Sequence, residues 1–187
     1  MNAAEVLDFW FDGDPTAFRR ERWFKRDDVL DAQIRERFAF TVEAAIDGAL
    51  DAWSATPEGA LALVIVLDQF PRNIHRGSYL AFGGDAHARR IARNAVAEGL
   101  DVVLTPVQRC FLYLPFEHSE DLADQDLAVL LFDALKGEPE LAGAVESAQG
   151  HREVIRRFGR FPHRNAAVGR SSTPEELAYI ASSGGNY

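Results

Sequence analysis

The chain is poor in cysteine and lysine: Cys110 is the single cysteine among 187 residues, and Lys25 and Lys136 are the only lysines among 20 basic residues. One cysteine forms no internal disulfide, and the absence of a CxxC pair argues against a cysteine zinc site. The longest apolar run, residues 60–67, is far short of the roughly 20 residues that cross a bilayer. The N-terminus has acids where a signal peptide has lysines. We therefore expect a cytoplasmic protein with no membrane partner.

Positive charge is scarce overall, since the formal net charge is −9. An acidic chain is poorly suited to the phosphate backbone, so we expect no nucleic-acid partner. Hydrophobic residues make up 47% of the sequence, with 13 phenylalanines, which is enough for a substantial core. The length predicts one domain over residues 1–187, with the last few residues disordered.

Strand and hairpin signals are also missing, and amphipathic spacing predicts helices along nearly the whole chain. Residues 58–70 could form a buried strand, but their length and the Pro57 start favour a helix. We expect helix 106–114 to end at Pro115, Ser119 with its acids to begin the next helix, and Thr173 with Glu176 to cap the last one. The sequence predicts an all-α fold of stacked antiparallel hairpins, with about seven to nine helices.

Arginine is concentrated near the end of the chain. Residues 151–170 carry six arginines and one acid, a net charge of +5, while residues 116–140 carry eight acids and one lysine, a net charge of −7. Two stretches echo each other, "QFPRNIHRGS" at 69–78 and "RFGRFPHRNAAVGRS" at 157–171. Pro71 and Pro162 should each hold the preceding phenylalanine in a non-helical turn that presents the following arginine, and we call these turns the first and the second corner. We expect Phe70, Phe111, Phe116, Phe158 and Phe161 to anchor the polar stretches in the core.

Two interpretations of the arginines stay open. In the structural one, they pair with Asp68, Glu117, Glu120, Asp121 or Asp124 and join helices, because a buried charge needs a partner. In the functional one, some remain unpaired and line a pocket for an anion. Asp68 and His118 could form an acid–base pair if the fold joins them, although Asp68 could equally pair with Arg72 one turn later. If the fold joins the corners in one site, Arg72 and Arg164 should lie on the same side of the molecule as His118.

Other motifs for chemistry are missing. The sequence has no HExxH, P-loop, GxGxxG or G-x-S-x-G motif. Glu117, His118, Asp121 and His151 are metal-ligand types, but "EHSED" is equally a helix cap, and we expect neither a metal nor a cofactor. Cys110 is expected to be an inert core thiol.

Three motifs in this order, "LDQFPRNIHRG", "YLPFEHSEDLADQ" and "RFGRFPHRNAAVGR" followed by "STPEE", resemble bacterial domain-of-unknown-function family 924 over essentially the whole chain. The resemblance implies a tetratricopeptide-like helical array and no established activity. It places the family's motif positions on Asp68, Gln69, Arg72, Asn73, Arg76, Glu117, His118, Gln125, His151, Arg157, Arg160, His163, Arg164, Asn165 and Arg170.

These residues predict a cleft between helices that binds a small anion bearing phosphate or carboxylate. Asp68 and His118 are the catalytic candidates, and the other motif residues are expected to bind the ligand. The sequence predicts neither a particular reaction nor an oligomeric state for the protein. The alternative is an interaction or scaffold protein whose polar network is structural.

Overall fold

A computed structural model describes residues 1–183, with the side chains described through Ser182; the expected disorder at the C-terminus falls on residues outside this range. The α-helices are α1 (Ala3–Phe11), α2 (Arg20–Phe24), α3 (Asp28–Ile46), α4 (Pro57–Val64), α5 (Phe70–Ile74), α6 (Asp85–Ala97), α7 (Pro106–Glu117), α8 (Leu122–Asp133), α9 (Ala142–Phe158) and α10 (Pro174–Ser183). The π-helical turn Ile65–Gln69 joins α4 to α5 without a break. Short 3₁₀ turns occupy Asp51–Ala55, Tyr79–Phe82, Leu100–Val103, Pro139–Leu141 and Pro162–Arg164.

The all-α class is confirmed, since the described residues contain no strand and, with α4 and α5 counted as one, nine α-helices. Helix α4 lies at the centre and packs against α1, α6 and α7, while α7, α8 and α9 pack in sequence. The tetratricopeptide-like arrangement stays a prediction. No helix in the described part of the chain combines the length and the apolar character needed to cross a membrane.

Helix α4 and the π turn explain why residues 58–70 are so apolar, because every residue from Gly59 to Phe70 is buried. Thr56 begins the helix: its hydroxyl accepts a hydrogen bond from the Gly59 N–H at 3.1 Å, and Pro57 occupies the first turn. The helix prediction for this segment is therefore confirmed. Of the five anchoring phenylalanines, Phe70, Phe111, Phe116 and Phe161 are fully buried, whereas Phe158 is half-buried.

Three sequence-based helix boundaries are wrong. Helix α7 runs through Pro115 to Glu117, because burial of nearly every side chain of its second half outweighs the hydrogen bond that proline removes. Helix α8 begins at Leu122 with Asp121 as its N-cap, while Ser119 hydrogen-bonds to Asp124 instead. The predicted turn at Phe70-Pro71 is helical, with Phe70 at φ −59° and ψ −41°.

Gly84, the residue before α6, brings that helix against the π turn. A Cβ atom on Gly84 would lie 2.2 Å from the carbonyl oxygen of Leu67, so only glycine allows this approach. The contact places Asp85, the first residue of α6, beside the polar residues that follow Leu67. The packing of α6 thus assembles a site that sequence spacing does not reveal.

Candidate functional site

A buried pair between Asp68 and His118 lies at the centre of the polar region. Asp68 is fully buried in the π turn, and His118 follows the last residue of α7. The Nδ1 atom of His118 lies 2.8 Å from Oδ1 and 2.9 Å from Oδ2 of Asp68. The amide of Gln69 also donates to Asp68 Oδ2 at 2.5 Å. The fold therefore joins the two residues whose pairing the sequence could only suggest.

The protonation of this pair follows from its surroundings. Burial acts to raise the pKa of Asp68, but the charge of Arg72 and the hydrogen bonds from His118 and Gln69 outweigh it, and the pKa lies below its ordinary value. Burial lowers the pKa of His118, and the nearby Arg72 and Arg164 lower it further, against the attraction of Asp68. A carboxylate only accepts, so Nδ1 of the neutral imidazole carries the proton. Its Nε2 is then a lone-pair acceptor that makes no hydrogen bond within residues 1–182.

Arg72, from the first Phe-Pro-Arg corner, is held firmly by carboxylates. Its two terminal nitrogens donate to the two oxygens of Asp85 at 2.8 and 3.0 Å. Nη1 also lies 3.2 Å from Asp68 Oδ1 and donates to the Asp68 carbonyl at 2.5 Å. Asp68 therefore contacts both Arg72 and His118, and the alternative pairings considered from sequence coexist.

Arg164, from the second corner, lies nearby with a very different environment. Its guanidinium is sandwiched against Phe82 and Phe161, 4.7 and 4.5 Å from the ring centroids. The nearest carboxylate oxygen, on Asp85, is 3.7 Å away, too far for a hydrogen bond. Burial, with the repulsion of Arg72, lowers the pKa of Arg164 to about 10. Its side chain makes no hydrogen bond to any described residue, and the buried Nε is one of these unsatisfied donors.

The first cleft, of about 540 Å³, opens beside this cation. Its walls include Phe82, Asp85, Arg89, His118, Arg164 and Arg170. Asp85 joins Arg164 to Arg72, and Asp68 joins Arg72 to His118. The expected placement of the two corner arginines beside His118 is therefore confirmed.

A second cleft, of about 610 Å³, shares His118 with the first. Glu117, His118 and His151 form part of its lining, together with Arg20, Lys25 and Arg26 from the segment at and after α2. The Oε1 atom of Glu117 accepts a hydrogen bond from the Ser147 hydroxyl at 2.8 Å and lies 3.0 Å from His151 Nδ1. Five of the predicted residues therefore line the two clefts, which share His118: Glu117, His118, His151, Arg164 and Arg170.

Most other arginines of the basic segment are paired internally. Arg170 binds Glu120 through two bonds of 2.7 and 2.8 Å, and Glu120 also accepts the Phe161 N–H at 2.8 Å. Arg160 binds both oxygens of Glu176 at 2.6 and 2.9 Å. Arg157 pairs with Glu175 on the surface. The structural interpretation therefore describes most of the cluster, with Arg170 still lining the first cleft.

Several residues expected to bind a ligand lie away from both clefts. Asn73 and Arg76 both bind Asp31 and join α5 to α3, with Asn73 Nδ2 2.7 Å from Asp31 Oδ1. Gln125 donates to the carbonyls of Glu117 and Ser119, at 2.6 Å each, and so closes the end of α7. These three side chains hold helices together.

The second corner holds the remaining predicted residues. Asn165 is buried and donates to Ser172 and Glu176 beside the first turn of α10. Burial and the charge of Arg164 lower the pKa of His163 to about 4, so this ring is neutral near pH 7. Glu176 accepts the Thr173 N–H at 2.7 Å and its own N–H donates to the Thr173 hydroxyl at 3.2 Å, which confirms the predicted capping box.

Sequence reasoning missed several residues that shape the clefts, among them Phe82, Asp85, Arg89, Arg20 and Ser147. The "GGD" at 83–85 was a usable signal, since paired glycines before a helix indicate close backbone approach. Arg20 and Ser147 lie in stretches with no echo elsewhere, and only the packing of α2 and α9 brings them to the cleft.

Fold and site together define an all-α protein with a buried Asp–His pair between two polar clefts. A family model described as "Bacterial protein of unknown function (DUF924)" matches residues 6–184. The chain belongs to this family, as its three motifs indicated. It is 39% identical to the solved structure of a protein of unknown function, ATU0120, from Agrobacterium tumefaciens, with a TM-score of 0.87 over 96% of this chain and 97% of that one. No curated protein matches the chain.

Proposed function

We propose that the first cleft binds a small anion, bearing phosphate or carboxylate, through Arg164. The observation that carries this proposal is the buried residue Arg164, which is 9% exposed and whose guanidinium makes no hydrogen bond to the described residues. A buried cation without hydrogen-bond partners is costly, because it has lost water and gained little in return. An anionic ligand would supply both the charge and the acceptors.

Comparison with its neighbours supports a ligand role for Arg164. Arg72, Arg160 and Arg170 each form a two-pronged pair with one carboxylate. The same carboxylate that binds Arg72 is 3.7 Å from Arg164 and has its oxygens already engaged. Arg164 therefore keeps the fork geometry that suits phosphate or carboxylate, held by two aromatic rings.

The cleft also suits a small molecule in size and chemistry. A volume of about 540 Å³ lies within the range of small-molecule sites, roughly 300–1,000 Å³. His118 lies in its wall with Nδ1 held by Asp68, which leaves Nε2 as the proton acceptor. An oriented neutral histidine is a suitable general base for a ligand that Arg164 holds. In this proposal Asp68 positions the ring and His118 exchanges the proton.

Thermal-shift and calorimetric titrations with inorganic phosphate, phenyl phosphate and succinate test the binding. We expect at least one of these anions to stabilise the wild-type protein and the Arg164→Met variant to lose that stabilisation. Arg157→Ala is the matched control, because it removes an arginine of the same segment that pairs on the surface. Equal responses of the two variants, or no response of the wild type, would contradict the proposal.

The alternative, a scaffold protein with a purely structural polar network, draws support from the pairs of Arg72, Arg76, Arg160 and Arg170. It predicts that Arg164 stabilises the fold as the paired arginines do. Chemical denaturation of Arg164→Met separates the two functions: a loss of several kcal/mol, with no anion binding to the wild type, supports the scaffold.

A further inference from the structure

We propose that the second cleft is a separate site for a small zwitterion, a molecule with an ammonium group at one end and a carboxylate or phosphate at the other. Glu117 in its lining would bind the ammonium. The cations that form its rim, Arg20, Lys25 and Arg26, would bind the acidic end. This proposal does not rest on anion binding by Arg164. It rests on an incompletely bonded buried carboxylate that lines the same cleft as the unpaired Arg20 and the weakly paired Lys25 and Arg26.

The Glu117 carboxylate is the first observation. Its side chain is 3% exposed, and its Oε2 atom is buried without a hydrogen-bond partner in the described structure. Its other oxygen has the Ser147 hydroxyl and the His151 ring as neighbours. No arginine or lysine of the described residues lies within ion-pair distance of it. A buried carboxylate in this state has room for one further donor, and a cationic donor also offsets its charge.

The rim of the cleft is the second observation, and it has the opposite charge. The Arg20 side chain forms no ion pair or hydrogen bond with any residue from 1 to 182 and lies across Gly143 at the start of α9. Lys25 and Arg26 pair only with the exposed Glu21 and Asp28. Exposed pairs of this kind contribute little and are easily exchanged for a ligand.

The presence of both charge signs in the lining of one cleft indicates what the ligand must look like. A plain anion would leave Glu117 without its donor, and a plain amine would leave the rim unused. Phe18 and Phe24 line the same cleft, and Phe24 is half exposed there, so they can cover a short apolar linker between the two charged ends. An ω-amino acid or an aminoalkyl phosphate has this arrangement.

Calorimetric titration with a series of zwitterions that differ in linker length tests the site. The probes are β-alanine, 4-aminobutyrate, 6-aminohexanoate and phosphoethanolamine, each compared with butylamine and butyrate, which carry one charge only. We expect one zwitterion to bind at least about tenfold more tightly than either single-charge compound, since it gains charge-assisted hydrogen bonds at both ends. Equal binding of butyrate and the best zwitterion would overturn the role of Glu117.

Two variants address the two ends of the ligand separately. Glu117→Gln keeps the shape and should weaken the best zwitterion by about tenfold. Arg20→Ala is an exposed substitution that leaves the fold intact, and it should weaken the zwitterion by about threefold or more. Lys136→Ala, which removes a distant surface cation that pairs with Asp133, is the control and should change nothing. Unchanged binding in both Glu117→Gln and Arg20→Ala refutes the site.

The same titrations separate this site from the first cleft. Arg164→Met should leave zwitterion binding within about twofold of the wild type, because Arg164 does not line the second cleft. Failure of all anions to bind at Arg164, with the zwitterion still bound, would remove the proposed function and keep this inference. Loss of zwitterion binding in Arg164→Met would show one continuous site and would overturn the separate one.

Discussion

The two Phe-Pro corners share a local sequence but not a structure. Phe70 is helical and its proline lies in the first turn of α5, whereas Phe161 is extended, at φ −87° and ψ 106°, and Pro162 begins a 3₁₀ turn. The difference comes from what precedes them. The first corner continues a buried helix through a π turn, and the second follows Gly159, which ends α9 in the left-handed conformation at φ 68°.

This difference decides what each arginine does. In the first corner arginine follows proline directly and reaches the carboxylates of Asp68 and Asp85. In the second, His163 stands between proline and arginine, and Arg164 lies against two aromatic rings instead. A repeated sequence motif can therefore stabilise the fold in one copy and present an unpaired charge in the other.

Removal of the phenylalanine anchor should have the largest effect. Phe161 is fully buried with Val154 and Ile155 in a small cluster of its own, apart from the main core that contains Phe70. Phe161→Ala should cost about 3–5 kcal/mol of unfolding free energy, because it removes a buried ring and leaves a cavity. Urea denaturation measures this loss. A cost below about 1 kcal/mol would mean that the second corner does not depend on its anchor.

Replacement of Arg72 and of Arg164 by methionine tests the difference between the two corners most directly. Arg72→Met leaves the buried Asp68 and Asp85 without their shared cation and should cost about 3 kcal/mol. Arg164→Met removes an unsatisfied cation, keeps much of the packing volume, and should change stability by less than about 1 kcal/mol. Paired denaturant melts of the two variants give both numbers. Similar costs would show that the corners play the same structural role.

The second corner should also respond to acid between about pH 6.5 and pH 4. His163, whose surroundings include Arg164, Glu120, His151 and His118, has a folded-state pKa of about 4, below the ordinary value near 6.5. The unfolded chain therefore binds a proton that the folded chain does not, and stability falls as the pH drops from about 6.5 to about 4. His118, whose pKa is also lowered, adds a loss in the same direction.

The variant His163→Gln isolates this effect. Melting temperatures measured from pH 7 to pH 4 should fall less steeply than those of the wild type, because the titrating group is gone. Parallel curves for the two proteins would show that the second corner does not titrate on unfolding.

The smallest effect is expected from the surface pair between Arg157 and Glu175. Both side chains are about half exposed or more, so the pair gains little over hydration by water. Arg157→Ala should change the unfolding free energy by less than about 0.5 kcal/mol. A larger change in the same denaturant assay would mean that the basic segment acts as one cooperative network, including its exposed members.

The sequence determined the helical class and much of the secondary structure, because these depend on nearby residues. Apolar spacing, the Thr56-Pro57 start and the Thr173–Glu176 cap all predict what the structure contains. The sequence also indicated where stretches of polar side chains interrupt the apolar helical pattern. Burial at Phe70, Phe111, Phe116 and Phe161 followed from the need to anchor those interruptions.

Only the tertiary structure decided which charges are neutralised. The pairing of Arg72 with Asp85 depends on the contact between Gly84 and Leu67, and the pairing of Asp68 with His118 spans 50 residues of chain. Packing also carried α7 through Pro115 and made the first corner helical, against local preference. Local sequence sets backbone preferences of about one to three kcal/mol, whereas a buried charge or a buried apolar helix is worth at least as much and depends on residues distant in sequence.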